Sequence, residues 1–476
     1  MENRGDPLSF APAFVVFAAL CCSVFLNGKG LSLYVSVFVS LLLGASWVMF
    51  GTERTDGDRI PFFAAVIAIA FLLSFVTLQR VNIVRKFPSA VDTKGIVMSV
   101  RPWGKAHAML LDTEYGKFAA YQFGPVPAEG TLLSLRGILF DFKRASDGSF
   151  DEYLFWRSNG ASKKIVIMSM REIGVPKGIY KWRNSLTERI QSELPPNVAG
   201  YMLALTVGAR DDFLTKLHRS AGTVHLLSVS GFHVGILAAM VTFFMRRGRR
   251  RIIALSLVMW AYLALAGLPP GGIRAALMVQ IHLLGLLFGK PSSPFNSVCV
   301  AGVVLLMINP MMFYNAGWRL SMSAAMFITA FARMCGRSFL SALAASALVW
   351  FVTAPLIASI FKEVPIAGLV MNVFAIPLFA FIFPAVIAVS LPALMGVPFG
   401  YSIASAMEYL LEAWNIFSSG VTAALPWSVV STTPLLMTSL CISWGAFAYA
   451  SGVGKKRIPL ITVAYVFCSL FLVKML

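Results

Sequence analysis

The chain has 476 residues, of which 58% are apolar or aromatic and 13% are charged, and its mean hydropathy is +0.76. A soluble domain usually has about 25% charged residues, and several apolar runs here reach the roughly 17–25 residues that cross a bilayer. The composition therefore excludes a soluble enzyme and predicts an α-helical polytopic membrane protein.

The positive charge is concentrated in the second half of the chain. Lys and Arg number 40 against 21 Asp and Glu, a net charge of +19. Residues 213–476 contain 17 basic and 3 acidic side chains, so this half has a net charge of +14. The excess indicates a polyanionic partner or an anionic membrane surface. The ordinary enrichment of Lys and Arg in cytoplasmic loops is the alternative explanation.

The amino-terminal region contains three apolar runs, at residues 10–26, 31–50 and 60–79. No small-residue cleavage site follows the first run, so we interpret it as a retained transmembrane helix rather than a signal peptide. Residues 1–79 are therefore predicted to form a bundle of about three transmembrane helices.

The composition changes at Arg80, after which charges are frequent and the apolar stretches are short and alternating. Five such stretches separated by turn residues predict the strands of a small β-barrel or sandwich in residues 80–179. The predicted strands are 95–100, 107–112, 117–123, 131–139 and 163–169.

Residues 180–222 have an amphipathic helical pattern and are predicted to lie along the membrane surface. The apolar face of this region is predicted from Trp182, Leu186, Ile190 and Leu194, which precede the break at Pro195 and Pro196.

Ten further apolar runs follow within residues 223–476, and we expect about eight to eleven helices there, some of them re-entrant. The runs are 223–245, 252–268, 273–289, 295–308, 318–334, 339–361, 366–391, 401–421, 432–451 and 458–473.

The basic loops predict the orientation of the chain in the inner (plasma) membrane. Five arginines in RRGRRR (246–251) and a second cluster at 455–457 should face the cytoplasm. Counting spans from these loops places the β-domain outside the membrane and the amino terminus in the cytoplasm.

The segment VHLLSVSGFHVGIL (224–237) has the densest set of polar groups within an apolar run. Polar groups at membrane depth are costly and usually mark a pathway or a site, although close helix packing through small residues is an alternative. Ser230 and His233 would share a helix face, so a nucleophile and base of an intramembrane hydrolase is a further hypothesis. No carboxylate occurs between Asp212 and Glu363 to orient the histidine, which weakens that hypothesis.

Isolated polar residues beside helix breaks form a second pattern. Arg274 follows a Pro-Pro-Gly-Gly break and precedes an apolar helix, where its charge and the helix dipole would together favour an anion. Snorkelling of Arg274 to the membrane interface is the alternative. Arg319, and Asn372 with Pro377, repeat this pattern.

These strings resemble those of the ComEC family, the DNA-uptake channel of naturally transformable bacteria. The resemblance rests on HLLSVSGFHVGIL (225–237), IRAALM (273–278), GWRLSMSA (317–324) and a TAPL-to-IP segment (353–377), and it covers roughly residues 195–400. Two elements differ from the family pattern, since GWRLS replaces GFQLS and PPGGIRA replaces a version with Pro-Ser. The segment SFDEYLFWRSNGA (149–161) also resembles the one that closes the family's OB-like extracellular domain.

The resemblance implies an inner-membrane channel that translocates single-stranded DNA into the cytoplasm during natural transformation. It implies a competence-type channel domain at residues 223–476 and an OB-like fold for the β-domain. The residues expected to line the DNA pathway are His225, Ser228, Ser230, Gly231, His233, Arg274, Arg319 and Asn372. The β-domain residues expected to contact DNA are Arg101, Trp103, Lys105, Tyr121 and Phe123, although a purely structural cap is an alternative role for that domain.

Many family members continue into a metallo-β-lactamase-like nuclease domain, and we expect this chain to be a short form without one. It has no HxHxDH string, and its five histidines do not cluster as metal ligands. We therefore expect no catalytic activity, cofactor or metal. No GxxxxGK[ST] string occurs, so a partner ATPase, helicase or DNA-capture protein should drive entry, with a DNA receptor outside and a separate nuclease if one is needed. The alternatives are a transporter or flippase for a small anionic or lipid substrate, and the intramembrane Ser/His hydrolase.

Overall fold

The structure is a computed structural model that describes residues 12–51, 60–82, 87–145, 150–209, 211–246, 248–289, 293–334, 339–450 and 453–475. The predicted cytoplasmic amino terminus lies outside the described residues. So do Arg247 of the basic cluster and Ser149 at the start of the SFDEY segment.

Three helices occupy the first three apolar runs: α1 (Pro12–Gly28), α2 (Leu33–Gly51) and α3 (Ile60–Asn82). Phe14 and Leu20 on α1 are buried against the later helices of the chain, and the backbone amide of Ala13 donates to Asn296 Oδ1 at 3.2 Å. The amino-terminal bundle thus packs directly against the membrane helices that follow the β-domain.

Five strands form a closed barrel at the five alternating stretches, with the order β1-β2-β3-β5-β4. The pairing of β3 with β5 is parallel and the other pairings are antiparallel. A short helix, α4 (Glu152–Ser158), connects β4 to β5 and is capped by Asp151, whose carboxylate accepts from the Leu154 amide at 2.8 Å. The strands are β1 (Ala90–Trp103), β2 (Ala106–Thr113), β3 (Gly116–Gln122), β4 (Leu132–Phe140) and β5 (Lys163–Gly174).

The region after the barrel is helical, as its pattern predicts. It contains α5 (Ile179–Glu193), α6 (Pro196–Met202), a π-helical turn (Leu203–Val207) and α7 (Asp212–Ser220). Ile190 and Leu194 are buried, whereas Trp182 is 74% exposed. Arg183 takes the inward position on that turn because its side chain bonds to groups beneath α5.

Ten helices follow in the described part of residues 223–476. Stretches of 18 or more residues within α3, α10, α13 and α14 are apolar enough to cross a membrane. Two short strands, β6 (Val364–Pro365) and β7 (Ser428–Val429), pair between helices. The ten helices are α8 (Gly231–Phe244), α9 (Arg249–Leu265), α10 (Pro270–Leu287), α11 (Pro294–Ile308), α12 (Ala316–Met334), α13 (Phe339–Phe361), α14 (Ala367–Leu394), α15 (Gly400–Ala424), α16 (Thr433–Ala450) and α17 (Ile458–Met475).

Two local predictions differ from the structure. The apolar run 223–245 is not one helix, because a 3₁₀ turn at Val224–Leu226 and an extended Ser230 precede α8. His225 therefore lies before the helix and does not share its faces. Asn372 lies inside a continuous α14 and not beside a break, because a proline such as Pro377 removes only one backbone donor and neighbouring helices tolerate it.

Two apolar cores organise the helical part. One joins α1 and α3 to α11, α12, α16 and α17. The other packs α5, α6 and α7 against α14 and α15. The start of α10 contacts the starts of both α8 and α12, and these three helix starts contain half of the eight predicted pathway residues.

Candidate functional site

The start of α8 is held by the serine and histidine that the sequence analysis singles out. Ser230 is the N-cap residue, and both its amide nitrogen and its Oγ lie 3.3 Å from His233 Nδ1. The two side chains form a capping box that satisfies free donors of the first turn. His233 is fully buried, and its ring meets the Phe383 ring of α14 edge-on at 5.0 Å.

This geometry also bears on the hydrolase hypothesis. His233 Nδ1 accepts from the Ser230 amide, so the proton of the neutral ring sits on Nε2, which has no hydrogen-bond partner. A hydrolytic pair needs a third group that orients the histidine, and no carboxylate among the described residues bonds to this ring. The arrangement therefore supports a helix cap with one unused donor rather than a nucleophile and base.

The start of α10 contains a buried positive charge. Arg274 is 7% exposed, and its Nη2 donates to the Gly317 carbonyl at 3.0 Å, while its Nε has no partner. Within the described residues no carboxylate lies within 4 Å of this guanidinium. The amino-terminal end of the α10 dipole adds to the charge, so the local field favours an anion.

Glycines bring the segment before α8 into contact with α10. A Cβ on Gly271 would lie 3.0 Å from the Val229 carbonyl oxygen, and a Cβ on Gly272 would lie 3.1 Å from Val229 Cγ1. A Cβ on Gly231 would lie 3.6 Å from that of Ala275. The structure therefore places the segment 224–237 beside the start of α10. The side chains of the two segments point to different helices, since His233 faces α14 and Arg274 faces α12.

Arg319 binds the same segment as Arg274. Its Nε donates to the Phe313 carbonyl at 2.8 Å, and its guanidinium lies 5.4 and 5.6 Å from the ring centroids of Phe313 and Tyr314. Both arginines thus bond to backbone carbonyls of one short stretch that runs into α12. Asn372, on α14, has a buried Oδ1 without a partner.

Three other predicted pathway residues lie on the surface before α8 or at its first position. His225 and Ser228 are exposed, and the Ser228 hydroxyl donates to the His225 carbonyl at 3.2 Å. Gly231 is exposed at the first position of the helix. The structure does not bring these residues together with the buried His233 ring.

The predicted DNA-contacting residues of the barrel fall into two groups. Arg101, Lys105 and Phe123 are exposed, the last with 73% of its surface. Trp103 and Tyr121 are half-buried and pack against each other with ring centroids 5.7 Å apart.

Tyr121 is tied to α4. Its hydroxyl donates to Glu152 Oε1 at 2.7 Å and accepts from Trp156 Nε1 at 2.6 Å. Burial raises the pKa of this phenol, and its bond to the Glu152 carboxylate acts in the same direction. Tyr121 is therefore a structural link between the barrel and α4.

Two sets of contacts among the described residues connect the barrel to the helices. Asn309 Nδ2 donates to the Arg157 carbonyl at 3.1 Å, and Asn315 Nδ2 lies 3.5 Å from Ser158 Oγ, so the end of α4 sits on the segment that runs into α12. In the second set, Arg183 pairs with Glu129 at 2.9 Å.

Arg183 also donates to the Val207 carbonyl of the π-helical turn at 3.1 Å, and it packs on Gly267 between α9 and α10. The end of α10 that contains Arg274 therefore faces the barrel. The basic cluster at the start of α9 lies at the opposite end of these helices.

Sequence reasoning missed the role of Glu408. Its Oε1 accepts from the amide and side-chain nitrogens of Asn197 at 2.9 and 2.7 Å, and its Oε2 accepts from the Val198 amide at 2.9 Å. A carboxylate from α15 thus caps α6. Glu412, one turn further along α15, is exposed.

A buried chain of hydrogen bonds leads from this cap toward the segment before α8. It was missed because its members are single polar residues, far apart in sequence, with no shared spacing. The chain runs from Asn197 to Asn415 (2.9 Å), then to the Tyr201 hydroxyl (3.0 Å), His218 (2.8 Å) and Thr223 (2.8 Å).

The chain is similar to one protein family over most of its membrane helices. A family model described as Competence protein matches residues 205–455, which is more than half of the chain. The chain belongs to this family. The match confirms the resemblance to the ComEC family and contains α8 to α16 with the Arg274 and His233 positions.

One curated relative supports the family assignment. The chain is 29% identical over 314 residues to ComE operon protein 3 of Bacillus subtilis (strain 168). The aligned region is 60% of this chain and 39% of the relative, so the chain spans less than half of that relative's length. No solved structure matches.

Proposed function

We propose that the chain forms an inner-membrane passage through which single-stranded DNA enters the cytoplasm during natural transformation. The observation that carries this proposal is the buried Arg274, whose only bonded partner among the described residues is the neutral carbonyl of Gly317. A buried charge without a counter-ion is costly. A phosphate that passed close to the first turn of α10 would supply the missing negative charge.

Passage requires contacts that form and break. A phosphate oxygen competes well with a carbonyl for a guanidinium, because the phosphate is itself charged and can accept two parallel N–H bonds from the planar fork. The unused Nε2 donor of His233 is neutral and would hold a phosphate only weakly. Conduction requires such weak sites beside the charged one, and we assign Arg274 and His233 to one constriction on this ground.

We propose that the barrel receives the strand. The closed barrel with the strand order β1-β2-β3-β5-β4 supports an OB-like fold, and such folds bind single strands through basic grooves and aromatic faces. Arg101, Lys105 and Phe123 are the exposed groups suited to this contact. The contact of α4 with the segment before α12 would then place the barrel close to the proposed constriction.

We propose that other proteins supply the energy for DNA entry and the receptor for DNA. We expect a DNA receptor outside and a cytoplasmic ATPase, helicase or DNA-capture protein inside. We assign no catalytic step to the chain, and within the described residues no three His, Cys, Asp or Glu side chains form a metal site.

Deletion of the gene followed by complementation tests the function. Deleted cells that receive labelled duplex DNA should produce no transformants and should hold the label outside the inner membrane, and the complementing chain should restore both. A defect in DNA binding without loss of DNA entry would instead mean that the chain binds DNA outside the membrane and does not form the passage. Normal transformation in the deleted strain would contradict the proposal.

The orientation has its own test. Lys105 at the β1–β2 turn and Arg250 in the basic cluster are both exposed, and each can be replaced with cysteine in a chain that lacks its six native cysteines. After permeabilisation of the outer envelope, an impermeant maleimide should label Lys105→Cys and should label Arg250→Cys only after the inner membrane is disrupted. The reverse pattern would place the barrel in the cytoplasm and exclude the proposed direction of entry.

A further inference from the structure

A cleft opens between the last turns of α8 and α10 and the first turns of α9. Its volume is about 840 Å³. Its walls are apolar and include Ile252, Leu255, Leu283 and Leu287, whereas its rim contains Arg249 and Arg251. The cleft therefore combines a space suited to hydrocarbon with a positively charged edge.

The two arginines have no internal counter-ion. Neither has a carboxylate within 4 Å in the part of the chain that the structure describes, and no Asp or Glu occurs between Asp212 and Glu363. Arg251 is half-buried, so water screens its charge only in part. The rim therefore complements an anion from outside the chain.

The position of the cleft along the helices fits a lipid. Arg274 and Leu287 on α10 are separated by about 20 Å along the helix axis, and α10 is long and apolar enough to span a membrane. The arginines would lie at the level of the head groups and the leucines at the level of the acyl chains. Phe244 and Phe288, which are 80% and 72% exposed, provide apolar surface beside the rim.

We propose that this cleft binds one anionic phospholipid, with its phosphate on Arg249 and Arg251 and an acyl chain between the leucines. Basic pockets between membrane helices bind acidic lipid head groups in this way. A nucleic acid would require a polar groove for its backbone, and the apolar walls favour an amphiphile instead. The proposal is independent of DNA passage, since the cleft lies at the end of α10 opposite Arg274.

Native mass spectrometry of the purified full chain with added phosphatidylglycerol or phosphatidylcholine tests the proposal. We expect one tightly bound phosphatidylglycerol and weak, non-saturating phosphatidylcholine binding. Replacing both arginines, Arg249→Gln and Arg251→Gln, should weaken phosphatidylglycerol binding about 30-fold, because each arginine near an anionic head group contributes about a factor of five. The matched control, Lys455→Gln with Lys456→Gln, removes two exposed charges outside the cleft and should not change the affinity.

A second variant tests the acyl site with the charges intact. Leu287 is half-buried in the cleft wall, so Leu287→Trp should fill the cleft without disturbing the core. We expect phosphatidylglycerol binding to fall at least about tenfold, while the elution of the chain on size exclusion stays unchanged. Equal binding of both lipids, or unchanged binding in both cleft variants, would overturn the proposal. If a short oligothymidine instead displaced the lipid from the wild-type chain and failed to bind the double arginine variant, that result would assign the two arginines to nucleic acid.

Discussion

Replacement of Arg274 with glutamate should abolish DNA entry while the chain remains at normal abundance in the membrane. The substitution exchanges the one buried positive charge at the start of α10 for a negative one, so each passing phosphate would meet repulsion in a poorly screened environment. We expect transformation to fall by at least about 10³-fold, because about 4 kcal/mol of repulsion added to the barrier slows passage by that factor. Transformation frequency and the uptake of labelled DNA into the cytoplasm measure the effect.

Two further substitutions at this position separate charge from shape. Arg274→Lys keeps the charge but loses the planar fork, so partial function should remain. Arg274→Gln keeps a donor for the Gly317 carbonyl without the charge, and we expect a defect close to that of the glutamate variant. Lys216→Glu makes the same charge change at an exposed site on α7 and serves as the matched control. Normal transformation of Arg274→Glu cells at wild-type abundance would make Arg274 a structural residue and exclude the proposed constriction.

The elements of the fold could be predicted from the sequence wherever a local pattern determines the structure. Alternation over short stretches locates all five barrel strands, and long apolar runs locate the helices. The residues at which helices begin were predicted less well. The run at 223–245 contains no proline and no Asp, Glu, Lys or Arg, so its composition does not reveal that the helix begins only at Gly231.

Long-range pairing explains the other differences. The sequence pattern does not single out Arg183, whose side chain bonds to Glu129 and to the Val207 carbonyl. Both partners are more than 20 residues away in sequence, so no local pattern contains them. The Ser230 and His233 pair shows the converse, since a spacing of three predicts their contact but fits a helix cap as well as a catalytic pair.

Glu408 and Glu412 illustrate the same limit and provide the second prediction with a large effect. In the sequence they are two equivalent acids one turn apart, whereas in the structure only Glu408 caps α6. Glu408→Ala should lower the free energy of unfolding by about 2–4 kcal/mol, because two backbone donors of Asn197 and Val198 lose a charged acceptor. Unfolding of the purified chain in mixed micelles by added dodecyl sulfate measures the change.

The neighbouring acid supplies the control for this prediction. Glu412→Ala removes an exposed carboxylate from the same helix and should change the free energy of unfolding by no more than about 0.5 kcal/mol. Glu408→Gln keeps one carbonyl acceptor at the cap and should lose about half as much as Glu408→Ala. Equal destabilisation by Glu408→Ala and Glu412→Ala would mean that the cap contributes little. The position of α6 against α15 would then be held by packing rather than by this cap.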